Sequence, residues 1–510
     1  LDSVEKSEQM RRYYGYANLV LTDYVEFRFY RNGERYEEPI KIADFDKKEK
    51  TITPIHENFI RLAKTLQDFT LSYKEPIKSG LHLSKIMGGK SQRIRDNILQ
   101  IFTEENGKGD DLEKVYETIK KLLVHDLRKR DFADMYAQTL VYGLFVARFH
   151  DETPETFSRE EARDLIPASN PFLKHFFDHI AGPNFNKRLE YIVNELCEVF
   201  SHADVDKLMK DYYKKDLLSD THKGPDPVIH FYEDFLKEYD PELRKKMGAY
   251  YTPLPVVQFI VRSVDHILKK EFKLTGGLAD TSKLDDKIHK VQILDPAVGT
   301  GTFISAVIGQ IYKKLLKSGQ KGRWHKYVHN DLLPRIHGFE LMMAPYTIAH
   351  LKLSMAFKET GFKYFHKRLG IYLTNSLEDV EMQKDMFAFG FAESIAEESK
   401  EAAKIKRETP IMVVVGNPPY SGESQNKGPW IMKLMEDYKK EPGGKIRLNE
   451  KNPKWINDDY VKFMRFGQYF VDNNGSGILA FINAHGYLDN PTFRGMRWNL
   501  LYTYDEMYIL

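Results

Sequence analysis

A doubly wound, mostly parallel α/β sheet preceded by an all-helical region is the fold that this 510-residue sequence predicts. Three observations predict it. After about residue 245, short apolar strands alternate with helical stretches, the pattern of strand–helix–strand crossover units. From about 55 to 245 the texture is helical instead. One crossover turn, Asp295-Pro-Ala-Val-Gly299-Thr-Gly301, passes from a strand into a helix through two glycines.

Taken in order, residues 18 to 44 alternate as strands do. Asn18 to Asp23 and Val25 to Tyr30 are followed by Asn32-Gly33, a turn pair, and by Ile40 to Ala43. This reads as a hairpin or small meander, too little sheet to stand alone. Leu112 to Arg130 carries apolar residues at helical spacing and a basic end, and Asp131 to Phe149 is apolar enough to be a buried helix. Val291 to Asp295, Arg335 to Glu340, Ile371 to Asn375, Pro410 to Gly416 and Gly477 to Asn483 are five strands of one sheet. Helices Phe303 to Leu316 and Ala344 to Ala356 lie between the first three. The charged segment Glu378 to Glu408 reads as a surface insertion. The divisions expected are 1–54, 55–245 and 246–510.

Composition narrows the class. The 32 Phe and 30 Tyr supply real cores, so a disordered or collagen-like chain is excluded. Lys and Arg total 76 against 74 Asp and Glu, a net charge of +2 that neither announces nor excludes a nucleic-acid partner. Cys197 is the one cysteine, so no intrachain disulfide or cysteine-based zinc cluster can form; its helical surroundings mark it as a buried small hydrophobe. No run reaches the roughly 18 apolar residues of a membrane helix, and the start carries no signal-peptide pattern. A soluble, cytoplasmic protein is expected. A first residue other than Met and a final strand-like run, Tyr504 to Leu510, suggest a piece of a longer polypeptide.

Two motifs carry chemistry. In Asp295 to Phe303 the glycines let the backbone approach a ligand closely, and the following helix N-terminus favours a negative group. The third glycine of a dinucleotide fingerprint is missing, since Ser305 and Ala306 occupy its region, which argues against NAD. Glu340, ending the next strand, is placed to take the hydroxyls of a ribose. Asn417-Pro418-Pro419-Tyr420 follows the strand Met412 to Val415. Its prolines lock the backbone, so an asparagine oxygen and a neighbouring carbonyl can hold an NH2 group while Tyr420 stacks a planar base. No covalent nucleophile is needed when the methyl donor is a sulfonium; alignment and stabilisation of developing charge suffice.

Asp-Pro-x-x-Gly-x-Gly followed 122 residues later by Asn-Pro-Pro-Tyr resembles the adenine-N6 DNA methyltransferases. The resemblance extends through Asp240 to Pro253, Asn375 to Asp379, Asn417 to Ser424 and Gly486 to Arg497. These stretches are similar to the large single-chain restriction–modification enzymes of type ISP and IIG, with a gamma-class methyltransferase core. The resemblance covers essentially the whole chain. It implies methyl transfer from S-adenosylmethionine to the N6 amine of an adenine extruded from double-stranded DNA. Thr252 would meet the cofactor's carboxylate, Asp295, Gly299 and Gly301 its methionine portion, Glu340 the ribose and Asn375 the adenine edge. Asn417 and Pro418 would bind the target amine, Tyr420 would stack on the base, and Phe493 would be the second aromatic of the base pocket. The resemblance also implies that 1–54 is the end of a nuclease-like domain, 55–245 a helical coupler and 246–510 the methyltransferase. A nuclease, with or without an ATP-driven motor, and a target-recognition domain are the flanking partners it suggests.

Two other functions stay open: methylation of a protein glutamine at N5, and a catalytically silent methyltransferase-like scaffold that binds DNA in a defence complex. Some apparent motifs lead nowhere. Gly88-Gly89-Lys90-Ser91 ends like a P-loop, but Ser84 stands where that loop needs glycine. Glu26-Phe-Arg28 is explained by strand alternation better than by a nuclease metal site. His325, His329 and His337 cluster in sequence without a clear set of supporting carboxylates, and only the first pair has helical spacing, so no metal is expected.

Overall fold

The computed structural model describes all residues except 17, 47, 71–76, 78, 105–110, 213–226, 243–251, 286, 363, 380–390, 421–423 and 451–452. The N-terminal strands come first. β1 (Asn18–Thr22) runs antiparallel to β2 (Glu26–Arg31), which also pairs with β3 (Glu34–Arg35) and β4 (Ile40–Lys41). Asn32 and Gly33 both adopt positive φ, 49° and 79°, as a two-residue loop between β2 and β3 requires. β5 (Ala43–Asp46) and β6 (Thr51–Pro54) form a separate ribbon that lengthens the expected meander. Phe29, Ile40, Leu62 and Phe69 make its small core. Glu26 is paired with Arg28 at 2.6 Å, and the same guanidinium also holds Asp2 and Glu5.

The helical region is built around Lys129–Phe149, buried on every side from Met135 to Phe149. A helix apolar all round belongs in a core. Gly80–Thr103 packs beside it, as does Met343–Glu359 from the α/β part, so one hydrophobic core runs from Ile77 through the helices to Ile478 of the sheet. Cys197 lies inside this core, its thiol pushed up to about 12 by burial. The expected helix Leu112 to Arg130 is two elements: Asp111–Leu122 ends where Leu123 and Val124 both bond back to Ile119, and the basic run opens Lys129–Phe149. Buried Leu123 and Leu127 keep the spacing of four across the turn, which disguises the break.

The second sheet contains β7 (Ile293–Asp295), β8 (Ile336–Glu340), β9 (Ile371–Leu373), β10 (Val413–Gly416) and β11 (Ile478–Phe481), the five strands expected. Every pairing is parallel and the spatial order is β11-β10-β7-β8-β9. The chain lays down three strands in one direction from β7, then returns to place β10 on its other flank. Helix Phe391–Glu408 corrects the surface-insertion reading. It packs on Asp111–Leu122, Pro171–Ala181 and β9, with Ile395, Glu398, Ala402 and Lys406 buried on one face. Its charges mislead because buried Glu398 serves Arg368 at 2.7 Å and the Leu373 N–H at 3.0 Å. No described helix is long and apolar enough to cross a membrane.

The P-loop-like stretch lies within helix Gly80–Thr103. Lys90 is 1% exposed and bonded to Glu195, which Arg93 also meets at 2.7 Å. Burial pushes the Lys90 ammonium down to about 8. Removing a carboxylate that neutralises a buried cation leaves that charge uncompensated. Glu195→Ala should therefore lose about 3–5 kcal/mol of stability in denaturant titrations, and adding Lys90→Met should recover most of it. A loss near zero for the single variant would show that the pair contributes little.

Candidate active site

In an open parallel sheet, ligands bind outside the carboxyl ends of the strands where the strand order reverses. Here that point lies between β7 and β10, which pair as Ile293↔Val413 and Leu294↔Val414. The glycine turn leaves β7 and Asn417-Pro-Pro-Tyr leaves β10, so the fold places both motifs side by side.

Asp295 ends β7, is 1% exposed and accepts from the Ala297 N–H at 3.1 Å. Burial pushes its carboxyl up to about 8. Gly299 has φ 57°, and a Cβ built on it would touch nothing within 4 Å, so one side of the turn is open space. Gly301, φ 83°, caps helix Thr302–Lys317. The Gly299 N–H donates to Glu340 Oε2 at 2.8 Å, and Glu340 Oε1 accepts from the Met342 N–H at 2.8 Å. Glu340 thus ties the turn to the end of β8 and retains further acceptor positions on both oxygens. Burial raises it to about 7.

Gly416 brings β10 against this turn, since a Cβ there would lie 2.9 Å from Asp295 Oδ1. The next residue, Asn417, donates through Nδ2 to Thr252 Oγ1 at 3.1 Å. Its Oδ1 accepts from the Tyr420 hydroxyl at 2.8 Å, and the same hydroxyl lies 3.2 Å from the Ile482 carbonyl. Two acceptors therefore converge on one donor at the strand end. Tyr420 is exposed as a residue, and partial desolvation of its phenol raises it above the usual value, so it stays a donor. Its ring meets Tyr460 edge-on at 6.1 Å, and Tyr460 lies 6.5 Å from Tyr487.

Thr252, Asn417 and Tyr420 are thus in direct contact, while Asp295, Gly299, Gly301 and Glu340 form the adjoining turn. Pro418 is buried behind Asn417. Asn375 sits beyond β9, with Nδ2 on Asn426 Oδ1 at 3.1 Å and Oδ1 on the Leu377 N–H at 3.0 Å. One N–H and one lone pair of that amide remain. Phe493 is 2% exposed and belongs to the second core, the one that also contains Tyr460 and has Tyr487 packed against it. Tyr420, Tyr460 and Tyr487 form an aromatic cluster at the strand end.

The sequence reading missed a buried polar network behind Asn375. Asp459 Oδ1 accepts from Asn426 Nδ2 at 2.9 Å and from Ser424 Oγ at 2.5 Å, while Lys462 donates to Ser424 Oγ at 2.7 Å and to the Asn426 carbonyl. From the other side Lys406, pushed down to about 7 by burial, donates to the carbonyls of Asn375 and Glu378. Asn375, Lys406, Ser424 with Asn426, and Asp459 with Lys462 come from four separate parts of the chain, so no single motif announces the network. The Ile482 carbonyl was equally silent, because a main-chain acceptor has no sequence signature.

A model of the N-6 DNA methylase family matches residues 223–490. A putative type II restriction enzyme and methyltransferase from Methanocaldococcus jannaschii is 22% identical over 298 residues, 51% of this chain and 24% of that protein. Three solved structures share the fold. A nuclease-deletion mutant of the type ISP restriction–modification enzyme LlaGI, in complex with a DNA substrate mimic, gives a TM-score of 0.58 at 20% identity over 88% of this chain and 33% of that one. The ATP-dependent type ISP enzyme LlaBIII bound to DNA also gives 0.58 at 20% identity, covering 88% and 27%. A DrdV–DNA complex gives 0.54 at 21% identity, covering 96% and 42%. The chain spans about a quarter of the curated relative's length.

The two raised carboxyls make a prediction about the ligand-free protein. Their folded values, about 8 and about 7, exceed unfolded values of about 3.9 and 4.3. The folded state therefore binds more protons across that interval, and stability falls as pH rises from about 4 to about 8, then levels. Asp295→Asn with Glu340→Gln should flatten the decline in melting temperature between about pH 5 and pH 8 by a few degrees. Parallel profiles for wild type and double variant would show that neither carboxyl titrates late.

Proposed function

The chain belongs to the N-6 DNA methylase family, and from that premise we propose that it transfers a methyl group from S-adenosylmethionine to the N6 amine of an adenine extruded from double-stranded DNA. The observation that carries the reading is the convergence of Asn417 Oδ1 and the Ile482 carbonyl on one donor at the switch point of the sheet. A site that satisfies a hydroxyl this way can take the hydrogens of an amine.

The residues beside it suit the cofactor. Gly299 leaves open space where a side chain would block approach, and Glu340 has acceptor capacity for ribose hydroxyls. Thr252, Asp295, Gly299 and Gly301 would hold the methionine portion, Glu340 the ribose and Asn375 the adenine edge. When bound, the cofactor supplies a methyl group already activated on a sulfonium. Asn417 Oδ1 and the Pro418 carbonyl orient the target amine and stabilise the positive charge that develops on its nitrogen, an electrostatic contribution fixed in advance by the proline-locked backbone. Tyr420 gives up Asn417 and stacks its ring on the extruded base, offsetting part of the unstacking cost. The segments 1–54 and 55–245 we assign to the end of a nuclease-like domain and a helical coupler of a restriction–modification polypeptide.

Methylation of duplex DNA by the full-length protein with labelled cofactor tests the reading; label on protein glutamine, or on neither, would overturn it. Asn417→Ala should lower kcat on the order of 100- to 1000-fold with cofactor affinity nearly unchanged. A variant keeping half its activity would remove Asn417 from the chemistry. Tyr420→Ala should lose much of its activity on duplex DNA, since stacking is worth about 1–3 kcal/mol per base, and should regain part of it when the adenine lies opposite a mismatch. Tyr420→Phe keeps the ring and should retain most activity. Equal impairment of the alanine variant on both substrates, with a lower melting temperature, would make Tyr420 a packing residue.

A further inference from the structure

The two amides in the polar network behind Asn375 are each held in one orientation. Asn375 is fixed beside the glycine turn and the end of β8: the Thr374 N–H donates to the Glu340 carbonyl at 2.8 Å, and Ser376 Oγ donates to the Pro296 carbonyl at 2.5 Å. Asn375 Oδ1 accepts from the Leu377 N–H at 3.0 Å, and its Nδ2 donates to Asn426 Oδ1 at 3.1 Å. Asn426 Nδ2 donates in turn to Asp459 Oδ1 at 2.9 Å. A main-chain N–H can only donate and a carboxylate can only accept. Turning the Asn375 amide over would set its NH2 against the Leu377 N–H and its oxygen against Asn426 Oδ1. Turning both amides would set Asn426 Oδ1 against Asp459. Ser424 Oγ donates to the same Asp459 oxygen at 2.5 Å and receives Lys462 at 2.7 Å, so the carboxylate is itself anchored.

Resting on the reading that Asn375 meets the adenine of S-adenosylmethionine, we propose that Asp459, acting through Asn426, is a positioning residue that makes the cofactor site selective for adenine. Asn375 keeps one N–H and one lone pair. These offer adenine its complement, Oδ1 for an N6 hydrogen and Nδ2 for the ring nitrogen N1. Hypoxanthine presents the reverse, an acceptor at O6 and a hydrogen on N1. An amide free to turn over pairs with either base, because exchanging its oxygen and nitrogen exchanges the pattern it reads. Here the exchange is opposed at both ends, by the Leu377 N–H and by Asp459. The amide therefore keeps the adenine pattern. A selectivity that one asparagine does not supply alone comes from a carboxylate two hydrogen bonds away.

The test is equilibrium binding of two probes to the full-length protein: S-adenosylhomocysteine and S-inosylhomocysteine, which differ only in carrying adenine or hypoxanthine. Wild type should bind the adenine compound about 5- to 150-fold more tightly, the discrimination that a bidentate amide–base pair supplies. Asp459→Asn keeps the size of the side chain but can donate as well as accept, which releases one of the two locks. The preference should then fall several-fold. In an Asn375→Asp background the same change should leave the preference unaltered, since a carboxylate has two like oxygens and no orientation to lose. An equal loss of affinity for both probes, or the same fall in preference in both backgrounds, would make Asp459 a packing residue and overturn the inference while the methylation reading stands. Equal binding of both probes by wild type would do the same. Binding of neither probe by the folded protein would overturn the cofactor reading, and this inference with it. Should Asp459→Asn fail to fold, Asn426→Ser removes the amide that relays the lock and should lose the same preference.

Discussion

The parallel pairing of β7 with β10 is the constraint on which the rest of this structure depends. Parallel neighbours cannot be joined by a tight hairpin, so each needs a crossover that leaves the strand's carboxyl end free. At β7 the chain departs in one direction and returns on the other side, and the two loops diverge. The crevice between them follows from connectivity before any side chain is chosen. Side chains then define it: Asp295 closes one wall, Gly416 is bare so that β10 can lie against it, and Asn417 stands at the rim.

Holding that crevice open requires burying polar groups, and the surrounding protein arranges partners for them. Asp295 and Glu340 lean on backbone N–H groups of the glycine turn, Lys462 on Ser424 and Asn426, Lys406 on two carbonyls. Glu398 does the same between Arg368 and β9. The helical region contributes through shared packing. Met343–Glu359, which follows β8 and Glu340, is packed on Lys129–Phe149, so the orientation of Glu340 is tied to a helix far earlier in the chain. A helical region and a site built on one core move as a unit unless that core is disrupted.

All five strands of the sheet and the two motifs at its strand ends were legible in the sequence, because each strand is a short apolar run closed by residues with a local geometric reason to be there. Gly299, Gly301 and Pro418 declare their backbone in their own covalent structure. What stayed hidden depends on long-range contact. Phe493 reads as an aromatic near a motif, and its burial in the second core depends on residues far along the chain. Helix Phe391–Glu408 reads as solvent-exposed because a buried Glu398 and Lys406 look no different in sequence from exposed ones. The Leu123–Leu127 turn keeps helical spacing without being helix. Ile482 meets Tyr420 through a main-chain carbonyl, which has no pattern to search for.

The bond from the Tyr420 hydroxyl to Asn417 also has a kinetic consequence. A donor on the same chain is an intramolecular competitor, present at a high effective concentration and displaced only by something that offers more than another hydrogen bond. A stray amine or a water molecule brings one donor and no surface for the released ring. A purine brings both. The apparent affinity of any ligand is reduced by the fraction of molecules in which the tyrosine has let go, and that reduction falls hardest on the smallest competitors. On the function proposed above, a methyl donor beside such a latch would be shielded from futile transfer until a flat, amine-bearing substrate lifted it.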